Sequence, residues 1–307
     1  MTSGTTGTME LDAAYAVCRA VARREAKNFY YAFVALPKAK RNAICAIYAF
    51  MRQADDLADD ETISIEERRA RLAAWTGAWR AANAGGSTDD PVFLAVRDGT
   101  KRFHIPAELL DELIAGVTMD LDAANGNAPD TYATFGHLYR YCYLVASVVG
   151  LVCIRIFGYS DQRAEKLAEE TGVAFQLTNI LRDVEEDAAR NRVYLPLEHL
   201  AAHGVALDSV LHRKRGTPPD EKERALLKDI GRRAEQYYAS ARELMPLIDK
   251  ESRPALWVLV AIYHALLKRI EAADFDVYSR RISVPTATKI SILISGLTRM
   301  MWMRVAG

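Results

Sequence analysis

The sequence predicts an all-α protein folded as a single domain, and three observations predict it. Apolar side chains recur with a helical period along nearly the whole chain, and alternating strand patterns are essentially absent. The chain breakers are confined to three short segments, NAGGSTDDP (83–91), NGNAPD (125–130) and RKRGTPPD (213–220). None is a long linker, and composition does not shift across any of them. Residues 10–307 are therefore read as one domain of about ten packed helices, with 1–9 as a flexible N-terminal tail. Half of the 307 residues are apolar, enough to bury one large core.

Charge and cysteine usage narrow the function classes. Forty basic and forty acidic residues cancel, so nothing points to nucleic acid, and a charged partner must be met by a local site. Cys18, Cys45, Cys142 and Cys153 lie inside apolar helical patterns with no C-x-x-C pair. They read as buried thiols in a reducing cytosol. MTSGTTGT at the start is small and polar, unlike a signal peptide. The longest apolar run, LVASVVGLVCI (144–154), stops at Arg155, short of the roughly 18 residues that a span needs. The last stretch, KISILISGLTRMMWMRVAG, reads as a core helix, with contact to the inner face of a membrane as the second reading. The expectation is a cytoplasmic protein.

Helix signals then appear in order. Arg41, Tyr48, Arg52, Asp55 and Asp59 fall on one narrow stripe at about 100° per residue. Ala43, Ile47, Phe50, Ala54 and Leu57 form a neighbouring core face, and Asp56 and Asp60 point to a third side. Ser64-Ile-Glu-Glu67 has the form of a capping box, and Pro106 opens AELLDELIAGVTMDLD at a favoured first-turn position. Around 173–190, Gln176, Asn179, Asp183 and Asp187 share a stripe beside the apolar row Val173, Leu177, Ile180, Leu181 and Val184, with Arg182, Arg190 and Arg192 close by.

The two acidic stripes carry the chemistry. Like charges at i,i+4 weaken a helix by a few tenths of a kcal/mol, and a divalent cation removes that repulsion. Mg2+ prefers carboxylate oxygens and accepts one or two of them together with substrate phosphate. A lone acidic cluster is ordinarily a solvated helix face; two such stripes look like a clamp of two or three metal ions for a diphosphate. The histidines offer no zinc or di-iron spacing, and His104, His137 and His264 read as structural. No G-x-S-x-G, Walker A or G-x-G-x-x-G string occurs.

The strings NFYYAFVALPKAKRNAICAIYAFMRQADDLADD, YRYCYLVASVVG and QLTNILRDVEEDAARNRVYLP closely resemble the squalene and phytoene synthase family, over roughly residues 15 to 285. The resemblance implies an all-α isoprenoid-synthase bundle around a central apolar cavity. It also implies Mg2+-dependent joining of two allylic diphosphates at their first carbons through a cyclopropylcarbinyl diphosphate. By position, Asp55 and Asp59 match the first metal-binding motif, and Asn179, Asp183 and Asp187 the second. Arg52 stands where the family has a diphosphate-binding arginine, and Tyr48 where it has a tyrosine beside the site. Tyr141 matches a tyrosine that positions or deprotonates the cyclopropyl-forming intermediate. Tyr263 and Arg280 match diphosphate contacts, with Arg281 as the alternative arginine, and Gln176 and Arg182 join the substrate-binding set. Lys27 and Asn28 occupy an anion-binding turn before Phe29, where many relatives read Ser, so Asn28 departs from the pattern.

The chemistry explains these residue types. Metal ions and arginines stabilise charge on the departing pyrophosphate, and the carbocation needs a dry apolar chamber. Ala146, Ser147 and Gly150 leave room for a prenyl chain, and the faces of Phe29, Tyr48 and Tyr141 suit a cation. In length and in the run NFYYAF…RQADDLADD the chain resembles bacterial family members that stop at presqualene diphosphate, which implies two farnesyl diphosphates as substrates. Phytoene synthesis from geranylgeranyl diphosphate is the alternative, and NADPH enters only if the product is reduced to squalene. A scaffold relative without catalysis has no need of two intact stripes. A terpene cyclase or chain-elongating prenyltransferase carries a different second motif.

Overall fold

The computed structural model describes residues 3–123, 129–214 and 216–305, with the side chains of 3–9, 27–28, 123 and 299–305 outside the description. Fourteen α-helices make up the described chain: α1 (Ser3–Glu25), α2 (Lys27–Val34), α3 (Lys38–Ala58), α4 (Ile65–Asn83), α5 (Pro91–Arg102), α6 (Ala107–Ala123), α7 (Phe135–Cys142), α8 (Val148–Phe157), α9 (Arg163–Ala188), α10 (Leu197–His203), α11 (Leu207–Leu211), α12 (Glu221–Leu244), α13 (Arg253–Ala272) and α14 (Thr286–Val305). Short helices in the connections raise the number above the expected ten. Helix α1 begins at Ser3, inside the segment expected to be a tail. Part of the 125–130 breaker lies outside the described residues. A two-residue parallel pair, β1 (Asp130–Thr131) and β2 (Arg192–Val193), is the one sheet among the described residues.

Helices α3 and α9 organise the core. One apolar cluster gathers α1, α2, α3, α5, α8 and α13, and a second gathers α7, α9, α12 and α13. The expected row Val173, Leu177, Ile180, Leu181 and Val184 is buried, as are Ala43, Ile47, Phe50 and Ala54. Leu57 is only half-buried, and Ala58 takes its place, because α3 ends there and its last turn leaves the core. Ser64 caps α4 by accepting the Glu67 N–H at 3.2 Å. The full reciprocal box forms instead at Asp220 and Glu223, where α12 leaves the 213–220 breaker.

Residues Phe135–Phe157 form one continuous 23-residue helical segment, interrupted by a π turn over Tyr143–Ser147. Its length and hydropathy are sufficient for a membrane span, which the shorter run 144–154 did not suggest. It packs against α3, α6 and α9, and half of its apolar window is buried inside the protein. By contrast, α14 is not the core helix expected. It lies on α13 and α2 with Ile290 and Ile294 exposed.

At the π turn the backbones of two helices touch. A Cβ on Gly172 would stand 2.5 Å from Ser147 Cα and 2.7 Å from its nitrogen. Only glycine lets α9 come this close, and the extra residue of the π turn re-aims Val145 and Ala146 toward the interior. Gly172→Ala is therefore expected to destabilise the protein by about 1–3 kcal/mol, seen at constant m as a lower urea midpoint. Gly77→Ala, whose Cβ would meet nothing within 4 Å on exposed α4, raises it instead.

Candidate active site

A cavity of ≈ 330 Å³ lies between α2, α3, the π turn, α8, α9 and α13. Its lining changes character in the same direction along two helices. On α3 it runs Ile44, Ile47, Tyr48, Met51 and then Arg52 and Asp55. On α9 it runs Ala168, Thr171, Gly172, Phe175 and then Gln176 and Asn179. Each sequence covers ~16 Å of helix at 1.5 Å per residue. The result is an apolar chamber with one polar end, to which the C-terminal halves of both helices contribute.

Most of the substrate-side residues read from sequence meet there. Phe29, Tyr48, Arg52, Asp55, Gln176, Asn179 and Tyr263 all line the cavity, as do Ala146 and Gly150. Tyr263 stacks on Phe175 at 4.4 Å and stands 5.7 Å from Phe29, giving the chamber an aromatic wall. Ser147 does not line it. Its hydroxyl donates to the Glu169 carbonyl at 2.6 Å, which locks the π turn to α9. Lys27 and Asn28 open α2 next to Phe29, but their side chains lie outside the described residues.

The remaining aspartates stand one turn beyond the chamber. Asp59 is exposed at the C-cap of α3, its N–H bonded to the Asp55 carbonyl at 2.8 Å. Asp183 receives Arg182 Nε at 2.8 Å and Arg281 Nη2 at 3.0 Å. Both Arg280 and Arg281 are exposed, but it is Arg281 that pairs with Asp183 and, at 3.1 Å, with Glu186, so Arg281 is the one of the two seen to reach the acidic stripe. Arg52 pairs with Asp56 at 2.6 Å, drawing that aspartate toward the stripe from which helix geometry had separated it.

Electrostatics ties the stripes together. Burial and the neighbouring Asp59 carboxylate push Asp55 up to about 7, against the pull of Arg52. Burial and Asp183 push Asp187 up to about 7, against Arg192 and Arg190. Between them lies Asp120 of α6, raised to about 6 by burial although Arg192 and Tyr141 oppose the shift. Asp120 feels Asp59, and Arg192 acts on both Asp120 and Asp187.

Sequence reasoning missed Asp120. Its nearest acidic neighbour, Asp122, is two residues away and on another helix face, so no stripe marks it. It also missed Lys289 of α14, whose pKa is lowered by burial and then by the nearby Arg182 charge. Tyr141 is buried outside the chamber, stacked on Tyr194 at 4.9 Å behind the aspartates. His264 is structural, its Nε2 2.8 Å from Glu235. Among the described residues the four cysteines are free thiols, and burial pushes Cys45 up to about 11.

Among the described residues no three Asp, Glu, His or Cys side chains stand close enough to make a ready cation site. The donor set nevertheless fits a hard cation. Asn179 Oδ1 is buried with no hydrogen-bond partner, and two carboxylates on each stripe crowd like charge that a cation relieves. Asp55, Asp59, Asn179, Asp183 and Asp187 are the residues able to hold it.

The raised pKa of Asp55 fixes a sign. The folded state holds this proton up to about pH 7 while the unfolded chain releases it near 4, so the group's contribution to stability is lost as pH rises across that window. Asp55→Asn is expected to raise Tm at pH 8 in EDTA by roughly 2 °C and to change it little at pH 4.

Comparison with known proteins agrees with this arrangement. Residues 22–288 match the family model for squalene/phytoene synthase. The chain is 34% identical to a phytoene synthase of Mycobacterium bovis over 94% of its own length and 92% of the relative's. It is 36% identical to a presqualene diphosphate synthase of Zymomonas mobilis, covering 82% of each. The crystal structure of a dehydrosqualene synthase superposes with a TM-score of 0.83 at 28% identity, over 96% of this chain and 99% of that one. An all-α chamber with aspartate-bearing helices at its mouth and these relatives lead to one conclusion: the chain belongs to the squalene/phytoene synthase family of prenyltransferases.

Proposed function

We propose that the protein catalyses the Mg2+-dependent head-to-head (1'-1) condensation of two farnesyl diphosphates to presqualene diphosphate, with release of diphosphate. The observation that carries this reading is the single cavity whose apolar length ends at polar groups from both aspartate-bearing helices. The apolar part of its lining spans ~10 Å of each helix before the polar end, and the similarity to a presqualene diphosphate synthase supports this product. Similarity to phytoene synthases over nearly the whole chain favours a second reading, two geranylgeranyl diphosphates giving phytoene. NADPH is required only if the product is reduced to squalene. The two intact stripes argue against a scaffold role. We place the activity in the cytoplasm, with exposed Ile290 and Ile294 of α14 as the surface for peripheral membrane contact.

The chain's own residues divide the work. Arg182 and Arg281 are held by Asp183 in the substrate-free state and exchange it for diphosphate oxygens when substrate arrives. Arg52 and Lys289 add positive charge at the same end. Mg2+ bound by Asp55, Asp59, Asn179, Asp183 and Asp187 supplies stabilisation of charge on the leaving diphosphate. Below it, the apolar walls exclude water, and the faces of Phe29, Tyr48, Phe175 and Tyr263 support allylic positive charge.

Incubation of the purified protein with Mg2+ and either diphosphate, with and without NADPH, followed by identification of the lipid, tests the reading. Presqualene diphosphate from farnesyl diphosphate is expected, and no prenyl product from either substrate contradicts it. Asp55→Ala and Asp183→Ala are each expected to cut turnover by about 10²-fold or more while leaving the helical circular dichroism intact; near-normal rates would remove the metal-holding role. Tyr141→Phe is expected to lower kcat more than it raises KM. Because Asp55 and Asp187 hold protons below about pH 7, the Mg2+ concentration for half-maximal rate should fall as pH rises from 6 to 8.

A further inference from the structure

The hydroxyl of Tyr141 has one proton and two acceptors. It lies close enough to the Asp120 carboxylate and the Tyr194 oxygen to interact with both. Arg192 reaches Tyr194 as well, and it grips Asp120 twice: Nη2 donates to the main-chain carbonyl at 3.0 Å, and Nη1 stands 3.9 Å from Oδ1. An ionised carboxylate binds a donor about twice as strongly as a neutral oxygen does. Tyr141 therefore donates to Asp120, which frees its own oxygen to accept from Tyr194 while Arg192 donates to Tyr194. The backbone builds this arrangement. The β1–β2 pair sets Asp130 opposite Arg192 and Thr131 opposite Val193, so Tyr132 and Tyr194 follow side by side, 5.8 Å apart. Both rings pack against that of Tyr141, Tyr132 tilted at 5.4 Å and Tyr194 stacked at 4.9 Å.

We propose that Asp120 is a positioning residue for Tyr141: it fixes the direction of the Tyr141 proton and so keeps the phenol oxygen available as an acceptor. Resting on the functional reading above, this makes Asp120 matter for catalysis through Tyr141 and not as a metal ligand. The stacked rings set the plane of Tyr141, and Asp120 sets the remaining rotation of the hydroxyl. Without that carboxylate the proton has two nearly equivalent directions.

A double-mutant cycle tests the assignment. Asp120→Asn is expected to lower kcat about tenfold, the size of one charge-assisted hydrogen bond, with KM changed less than about threefold and Asp120→Glu restoring part of the loss. In a Tyr141→Phe background Asp120→Asn should cost less than about twofold, and the Mg2+ requirement should not move. A full loss repeated in that background, or a Mg2+ requirement that rises in step, overturns the proposal. A readout independent of turnover separates this outcome from failure of the functional reading. In substrate-free protein labelled with 3-fluorotyrosine, the 19F resonance missing from Tyr141→Phe identifies Tyr141. Asp120→Asn should shift that resonance and Asp122→Asn should not; an unmoved resonance overturns the proposal. If Asp120→Asn does not fold, Arg192→Lys, which loosens the same carboxylate, carries the same cycle.

Discussion

Repulsion between carboxylates held close together at the edge of an apolar chamber is the constraint on which the rest of the structure depends. Asp55 with Asp59, and Asp183 with Asp187, each place like charge one helical turn apart. Burial makes that arrangement worse, and the folded chain responds by holding protons on Asp55 and Asp187 to near neutrality. A fold would not keep such groups in partly dry surroundings for stability alone. The helices beneath them are well packed, so the repulsion stays at the polar end of the cavity, where, in the proposed function, a multivalent cation and a diphosphate would relieve it.

The scaffold follows from that need. Helices α3 and α9 present an apolar face to the core and a graded face to the cavity, greasy at one end and charged at the other. Gly172 lets α9 press against the π turn, and the π turn in turn directs small side chains inward. The arginines that neutralise Asp183 come from α9 itself and from the segment before α14, so the substrate-free site already contains the groups that suit a diphosphate. The Tyr132–Tyr141–Tyr194 stack lies behind the carboxylates and connects to them through Asp120 and Arg192.

Much of this was legible in the sequence because helix periodicity is local. The faces of α3 and α9, the buried rows and the residues Tyr48, Arg52, Asp55, Gln176 and Asn179 follow from angles along a single helix. What was not legible depends on contacts between elements. Asp120 carries no local signal, and only the packing of α6 beside α3 and the reach of Arg192 bring it to the site. Arg280 and Arg281 are neighbours in sequence, and only the direction of the chain before α14 selects the second. Leu57 and Ser147 were misread for a related reason: a helix end and a π turn rotate side chains away from the faces that an ideal helix assigns. The C-terminal helix is apolar enough for a core, yet its position on α13 and α2 leaves Ile290 and Ile294 uncovered.

The most direct test of the central claim is a crystal structure of the protein with Mn2+ in place of Mg2+ and a non-ionising thiolo analogue of farnesyl diphosphate, with the metals located by anomalous scattering. The account predicts metal ions bridging the diphosphate to Asp55 and Asp59 on one side and to Asn179, Asp183 and Asp187 on the other, with the prenyl chain running down toward Ile44 and Ala168. A diphosphate bound elsewhere, or metal ions engaging neither stripe, would contradict it.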